Sequence, residues 1–314
     1  MLKVHASPTT TSPPLRWRMA KMQFERNYRK NDRELKLFQM FAHYGIAIPQ
    51  IFAADCNTRT ILMEDLSSNC VQCSFFDENN ELGDFVRENF DAMVCAAADM
   101  HAIFWENGEA FGQIGIDRRH ESEKKLLAHI DAIENDFLRY AEEERSGNIP
   151  KKWEIFENNI DLNKLDYFPQ AIKLLREKYP ELLEKRFHTG KNVTVIHGDM
   201  HPGNCFVSKT DCGAKLIDLQ AVRMGLCIED LAMLLALHIA PNKQQAQPLL
   251  DRYYSRLCKK VIGYSCENFM NDYKIAIMEN MFFPIKLMIR HKIFDFAMRA
   301  RAAIAAFEAF VLNI

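Results

Sequence analysis

The stretch from Val195 to Gln220, VIHGDMHPGNCFVSKTDCGAKLIDLQ, constrains this chain more than any other. Val193-Thr194-Val195-Ile196 is a short β-branched run with strand propensity, and it passes straight into His197-Gly198-Asp199. A strand pair follows, Cys205-Phe206-Val207 and Lys215-Leu216-Ile217, joined by a Lys-Thr-Asp-Cys-Gly turn. Asp199 and Asn204 are five positions apart on one loop, and Asp218 ends the strand that returns to it. Three oxygen-bearing side chains spread over 20 residues are thereby gathered around one point. Phosphoryl transfer needs such a set: one carboxylate to orient and deprotonate the acceptor, then a carboxylate and an amide to hold magnesium on the phosphates.

Plainer readings exist. Aspartate is common in turns and at strand ends, so Asp199 and Asp218 could be there for the backbone alone. Asp218, however, follows Lys215-Leu216-Ile217 directly with Leu219 behind it, where an unpaired carboxylate is costly if buried and a metal removes that cost. His197-x-Asp199-x-His201 could instead ligate a transition metal, as in metal-dependent hydrolases. That reading needs further ligands, and the other histidines (5, 43, 101, 120, 129, 188, 238 and 291) form no second cluster. It also leaves Pro202-Gly203-Asn204 unexplained.

The pattern H-G-D-x-H-x-x-N followed by a hydrophobic strand and I-D resembles the aminoglycoside phosphotransferase and choline kinase superfamily, carried here by His197, Gly198, Asp199, His201, Asn204, Ile217 and Asp218. The resemblance implies a protein-kinase-like α+β fold, with a small antiparallel-sheet N-lobe and a large, mainly helical C-lobe. It further implies ATP and Mg2+, with Asp199 as catalytic base, Asn204 and Asp218 as magnesium ligands, and His197 as a structural member of the loop. Ile228-Glu229-Asp230-Leu231-Ala232 resembles the family's segment in which an aspartate, here Asp230, supports that loop. Met100 to Trp105 resembles the end of the preceding buried helix, and Ile48-Pro49 and Met63-Glu64-Asp65-Leu66 resemble the small-lobe turn and the nucleotide-binding hinge. The similarity spans about residues 16–240.

In the small lobe, Lys21 sits in the expected strand 15–24 as the family's phosphate-gripping lysine does, and Glu34 begins the next helix. Asn31-x-x-Glu34 is equally a capping box, so the direction of the Glu34 carboxylate is left open. Residues 1–14, rich in Ser, Thr and Pro, read as a disordered leader that is not a secretory signal. They contain no glycine and are too short for two strands and a phosphate-covering loop, so the N-lobe at 15–66 reads as incomplete. A truncated chain, a minimal substitute strand, or a nucleotide-binding protein without efficient catalysis would each account for that.

The C-lobe, 67–314, reads as helical apart from the catalytic loop at 195–220. Helices are expected after Asn31 with Leu35, Phe38 and Ala42 inward and Gly45 as the stop, over 90–105, over 121–145 with Leu126, Ile130, Ile133 and Phe137 as one stripe, and over 165–185 with Pro180 as an interruption.

Charge and cysteine usage narrow the partners. Forty Lys+Arg against 42 Asp+Glu give no general reason to bind nucleic acid or an anionic membrane. The most apolar run, Leu231 to Ala240, is about half of a bilayer-spanning length. Nine cysteines without repeated metal-ligand spacing suit reduced thiols and a cytoplasmic setting. Gly198 stands where protein kinases carry an arginine, and no long activation segment fits between Asp218 and the helix beginning near Ile228, which disfavours a protein substrate. A small-molecule hydroxyl is the expected acceptor, bound by helices within 241–314. That tail carries 11 Lys+Arg against 6 Asp+Glu, a poor match for a polycationic aminoglycoside. Phe282, Phe283, Phe294 and Phe296 could line an apolar or choline-type pocket, though residues at helical spacing are more often core.

Overall fold

The computed structural model describes residues 2–4, 33–55, 60–72, 84–114, 118–147, 166–211, 213–238, 243–291 and 297–312. Helix α1 (33–43) buries Glu34, Leu35, Leu37, Phe38 and Phe41. Ala42, expected on that stripe, is exposed, and Phe41 takes the inward position one residue earlier. Gly45 ends the helix at φ +70°, donating to the Ala42 carbonyl (3.1 Å) while Ile46 reaches back to that of Phe41 (2.9 Å).

The first sheet is antiparallel, in the order β1 (Leu2–Val4), β3 (Thr60–Met63), β2 (Ile51–Asp55). β1 corrects the expectation for the first residues. Leu2 to Val4 are strand rather than leader, with Leu2 opposite Leu62 and Val4 opposite Thr60. The pairing satisfies the edge of β3 that β2 leaves open. The strand expected over 15–24, and with it Lys21, lies outside the described residues, as does Asn31.

The chain then enters the helical lobe. α2 (Asp84–Ile103) is its central helix, with Met93, Val94, Ala97, Ala98 and Met100 fully buried. After α3 (Gly108–Ile114), α4 (Glu123–Arg145) sets the expected Leu126, Ile130, Ile133 and Phe137 into the core. α5 (Tyr167–Leu182) runs through Pro180 without a break, contrary to the expected interruption. The helix instead loosens just afterwards into a π turn, Leu183–Phe187.

Two small sheets carry the loop between them. β4 (Cys70–Gln72), β6 (Cys205–Ser208) and β7 (Ala214–Leu216) form one, and β5 (Thr194–Ile196) pairs antiparallel with β8 (Arg223–Gly225) in the other. Leu216 N–H donates to the Ala47 carbonyl at 2.8 Å, which joins the hairpin to the segment below the first sheet. The remaining helices are α6 (Cys227–Leu231), continued by a π turn Ala232–Ala236, then α7 (Lys243–Leu257), α8 (Cys266–Asn280), α9 (Phe282–His291) and α10 (Ala297–Ala306). α7 lies along α2. Phe282 is core, its ring edge-on to Phe168 at 5.4 Å, while Phe294 and Phe296 lie outside the described residues. No described helix is long and apolar enough to cross a membrane.

Candidate active site

The loop after β5 is held from beneath by one carboxylate. Asp230, 1 % exposed on α6, accepts from the backbone N–H of His197 (2.7 Å, Oδ2) and of Gly198 (2.8 Å, Oδ1). Its Oδ2 also lies 3.0 Å from His101 Nε2, and His101 Nδ1 lies 2.6 Å from the Tyr253 hydroxyl. With Nε2–H donating to the carboxylate, Nδ1 is left to accept from Tyr253 O–H, so both ring nitrogens of His101 are used. Burial pushes the Asp230 carboxyl up, but the hydrogen bonds it accepts, that of His101 first and that of the Gly198 amide with it, hold it below the usual range.

Gly198 has φ +77°, and a Cβ there would lie 2.1 Å from Arg223 Nη1 and 2.3 Å from the Ala221 carbonyl oxygen. The guanidinium of Arg223 thus fills the space that a side chain at 198 would need, and its Nη2 pairs with Glu229 at 2.8 Å. Gly198→Ala combines a left-handed β-carbon with a backbone clash, so it is expected to cost about 2–4 kcal/mol. Thermal denaturation of that variant against wild type measures it; an unchanged midpoint would contradict the geometry.

The same loop is pinned from above. His197 Nε2 donates to the Ile217 carbonyl (2.8 Å), and Ile217 N–H donates to the Asn204 carbonyl (3.0 Å). These two bonds bring the end of the hairpin back onto the loop. Asp218 follows at φ 58°, ψ 62°, a left-handed conformation that a non-glycine residue adopts at a cost and that marks functional positions. Asn204 is buried in the short turn Pro202–Asn204 and donates from Nδ2 to the Asp199 carbonyl at 2.9 Å. That bond orients the amide so that Oδ1 is the atom left for a ligand. The turn itself is closed by Gly203 N–H donating to His201 Nδ1 (3.1 Å) and by Gln72 Nε2 donating to the Gly203 carbonyl (2.6 Å).

Asp199 is 40 % exposed, the accessible member of the group, with His201 Nε2 3.9 Å from its Oδ2. His201 in turn faces His238, ring centroids 6.1 Å apart. Arg299 on α10 completes the surroundings. Burial pushes its guanidinium down to about 10 against the opposing pull of the Asp199 carboxylate. His238 is held well below the ordinary histidine range, by burial first and then by the charges of Arg299 and His201. Arg299 thus brings a positive charge into the surroundings of Asp199, a feature that only the net charge of the C-terminal segment had signalled in the sequence.

The small-lobe residues fare unevenly. Glu34, 1 % exposed, points inward and accepts from Gln220 Nε2 at 3.4 Å, two residues beyond Asp218. Beside it Arg33 Nη2 donates to the carbonyls of Ile114 (3.1 Å) and Val222 (2.5 Å), tying α1 to the segment after Asp218. At the hinge, the Glu64 carboxylate accepts from Gln50 N–H (3.0 Å) and from Lys215 Nζ (2.7 Å to Oε1), and these partners lower its pKa, the Gln50 bond most. Glu64 N–H donates to the Gln50 carbonyl at 2.8 Å. The side chain and amide of Glu64 are thus used within the protein.

Among the described residues no three His, Cys, Asp or Glu side chains are grouped so as to hold a metal by themselves. Asp218 and Asn204 offer a carboxylate and an amide oxygen, both hard donors, and this set suits a cation that takes its remaining ligands from phosphate and water.

The model of the phosphotransferase enzyme family matches residues 10–259. Solved structures with the same fold include a choline kinase from Cryptosporidium parvum (14 % identity, 89 % of this chain and 77 % of that one, TM-score 0.52). An ethanolamine kinase from Plasmodium vivax aligns at 14 % identity over 91 % of this chain and 74 % of that one, with TM-score 0.51. A choline/ethanolamine kinase family protein from Mesorhizobium loti aligns at 15 % identity over 91 % and 79 %, with TM-score 0.50. No curated protein sequence matches the chain.

Proposed function

Because this chain belongs to the phosphotransferase enzyme family, we propose that it transfers the γ-phosphoryl group of ATP to a hydroxyl of a small molecule. The observation that carries the reading is the loop itself: Asp199 exposed at its tip, with Asn204 and Asp218 locked on either side by Asn204 Nδ2, His197 and Asp230. In this reading Asp199 accepts the proton of the acceptor hydroxyl as its oxygen attacks the γ-phosphorus in line, and the bond from that phosphorus to the β,γ-bridging oxygen breaks, its electron pair leaving with ADP. Asn204 Oδ1 and Asp218 would hold magnesium, which neutralises phosphate charge when bound. Glu34 and Lys21 are proposed as the pair on the α- and β-phosphates, and the carbonyls of Met63 and Glu64 as the adenine contacts.

The chemistry near Asp199 bears on the acceptor. Arg299, which interacts electrostatically with Asp199 and His238, disfavours a cationic group beside the reacting hydroxyl. An ADP-release screen with Mg·ATP over neutral, anionic and cationic alcohols tests both statements. Turnover is expected with a neutral or anionic acceptor, and Arg299→Glu is expected to raise the KM of that acceptor about tenfold or more, the cost of replacing an attraction by a repulsion. Magnesium-dependent nucleotide binding without ADP release for any acceptor would leave a nucleotide-binding protein rather than a transferase.

A further inference from the structure

A cavity of about 550 Å3, none of whose lining residues belongs to the catalytic loop, lies between α5, the π turn that follows it, and α8. Its charge is one-sided. Lys178, Lys185, Arg186 and Lys274 line it against Glu181 and Asp272, and Glu181 is already paired with Lys185 at 2.5 Å. Its walls are apolar, formed by Leu174, Ile275, Met278 and Val311. A volume of this size falls within the range of small-molecule sites.

Arg186 is the feature that points to a ligand. Its side chain is 11 % exposed, and its Nη2 lies 3.4 Å from both carboxylate oxygens of Asp272, long for a charge-assisted bond. Asp272 has its closer partner elsewhere, accepting from the Tyr264 hydroxyl at 2.7 Å. The guanidinium also lies over the Tyr264 ring, Cζ 5.9 Å from its centroid, and among the described residues its buried Nη1 has no hydrogen-bond partner. A desolvated guanidinium donor without an acceptor is expensive, and an anion entering the cavity would remove that cost.

We propose that this cavity binds an anionic amphiphile, its carboxylate or phosphate head on Arg186 and its alkyl part along Leu174, Ile275, Met278 and Val311. The lysines at 178 and 274 add attraction at the rim. None of the residues proposed for phosphoryl transfer lines this cavity, so the proposal does not rest on that chemistry.

Calorimetric titration of the full chain, without nucleotide, with decanoate, decyl phosphate, decylamine and decanol tests this. One-site binding of at least one anion is expected, about tenfold or more tighter than the amine and the alcohol, and the two anionic arms separate a carboxylate from a phosphate head. Arg186→Met and, independently, Lys274→Glu at the rim should each weaken it several-fold. Saturating Mg·ATP and Asp199→Asn should leave it unchanged, which separates this outcome from any result on catalysis. Equal affinity for decylamine or decanol, anion binding indifferent to both substitutions, or displacement by Mg·ATP would each overturn the proposal.

Discussion

Asp199→Asn is expected to lower phosphoryl transfer about a thousandfold or more while nucleotide affinity stays within a few-fold of wild type. The carboxamide cannot take the acceptor proton, and nothing else changes much. The contact that fixes this part of the loop runs from Asn204 Nδ2 to the backbone carbonyl of Asp199 at 2.9 Å, and a substitution of the side chain leaves it in place. Only the longer contact from Asn204 Nδ2 to Asp199 Oδ2, 3.4 Å, is altered. With the Asp199 side chain 40 % exposed, the change also carries little burial cost. Coupled measurement of ADP release beside calorimetric nucleotide binding separates the two quantities. Turnover equal to wild type would remove Asp199 from the chemistry; loss of both activities together would mean that the side chain holds the nucleotide site instead.

The site was legible in the sequence where local spacing dictates geometry. His197 to Asp218 fold back on themselves because a strand, a tight turn and a hairpin of these lengths leave few alternatives, and the bonds from His197 to Ile217 and from Ile217 to Asn204 are that closure. The stripe of α4 was equally legible, since helical periodicity is a property of the segment alone. Other features depend on partners distant in the chain. β1 forms because the open edge of β3, some sixty residues away, accepts it, and a three-residue strand carries no periodic signal of its own. Pro180 was expected to break its helix by the usual loss of a bond, yet the helix runs on to Leu182 and changes to a π turn only at Leu183. Arg299 and His238 approach Asp199 only through the packing of α10 and the turn after α6. The Glu64 carboxylate was placed at the hinge by motif, but its Lys215 and Gln50 partners come from other strands and segments. Long-range placement of this kind is decided by tertiary packing rather than by any window of sequence.

Removing the support of the loop should be felt in both stability and rate. Asp230→Ala leaves the buried N–H of His197 and the half-buried N–H of Gly198 without this acceptor, and leaves His101 facing an empty space. Each orphaned donor costs about 1–3 kcal/mol, and breaking a buried charged set by removing one partner costs roughly 3–5 kcal/mol in all. A chain of this size would then lose on the order of 10 °C in Tm. Asp230→Asn keeps the shape and one acceptor oxygen but presents an NH2 group to a backbone N–H, so a smaller loss is expected there. Asp230 also has a direction in pH. Its folded pKa lies below the unfolded value, so the stabilisation is present above pH ~4 and is lost as pH falls through the folded pKa. Wild type should accordingly lose stability more steeply below pH ~4 than Asp230→Asn does, because the amide has no proton to gain. Turnover of Asp230→Asn, measured at a temperature where it is fully folded, should still fall, since Gly198 would no longer be fixed beside Asp199. Full activity in that folded variant would show that the loop holds its shape through His197 and Ile217 alone.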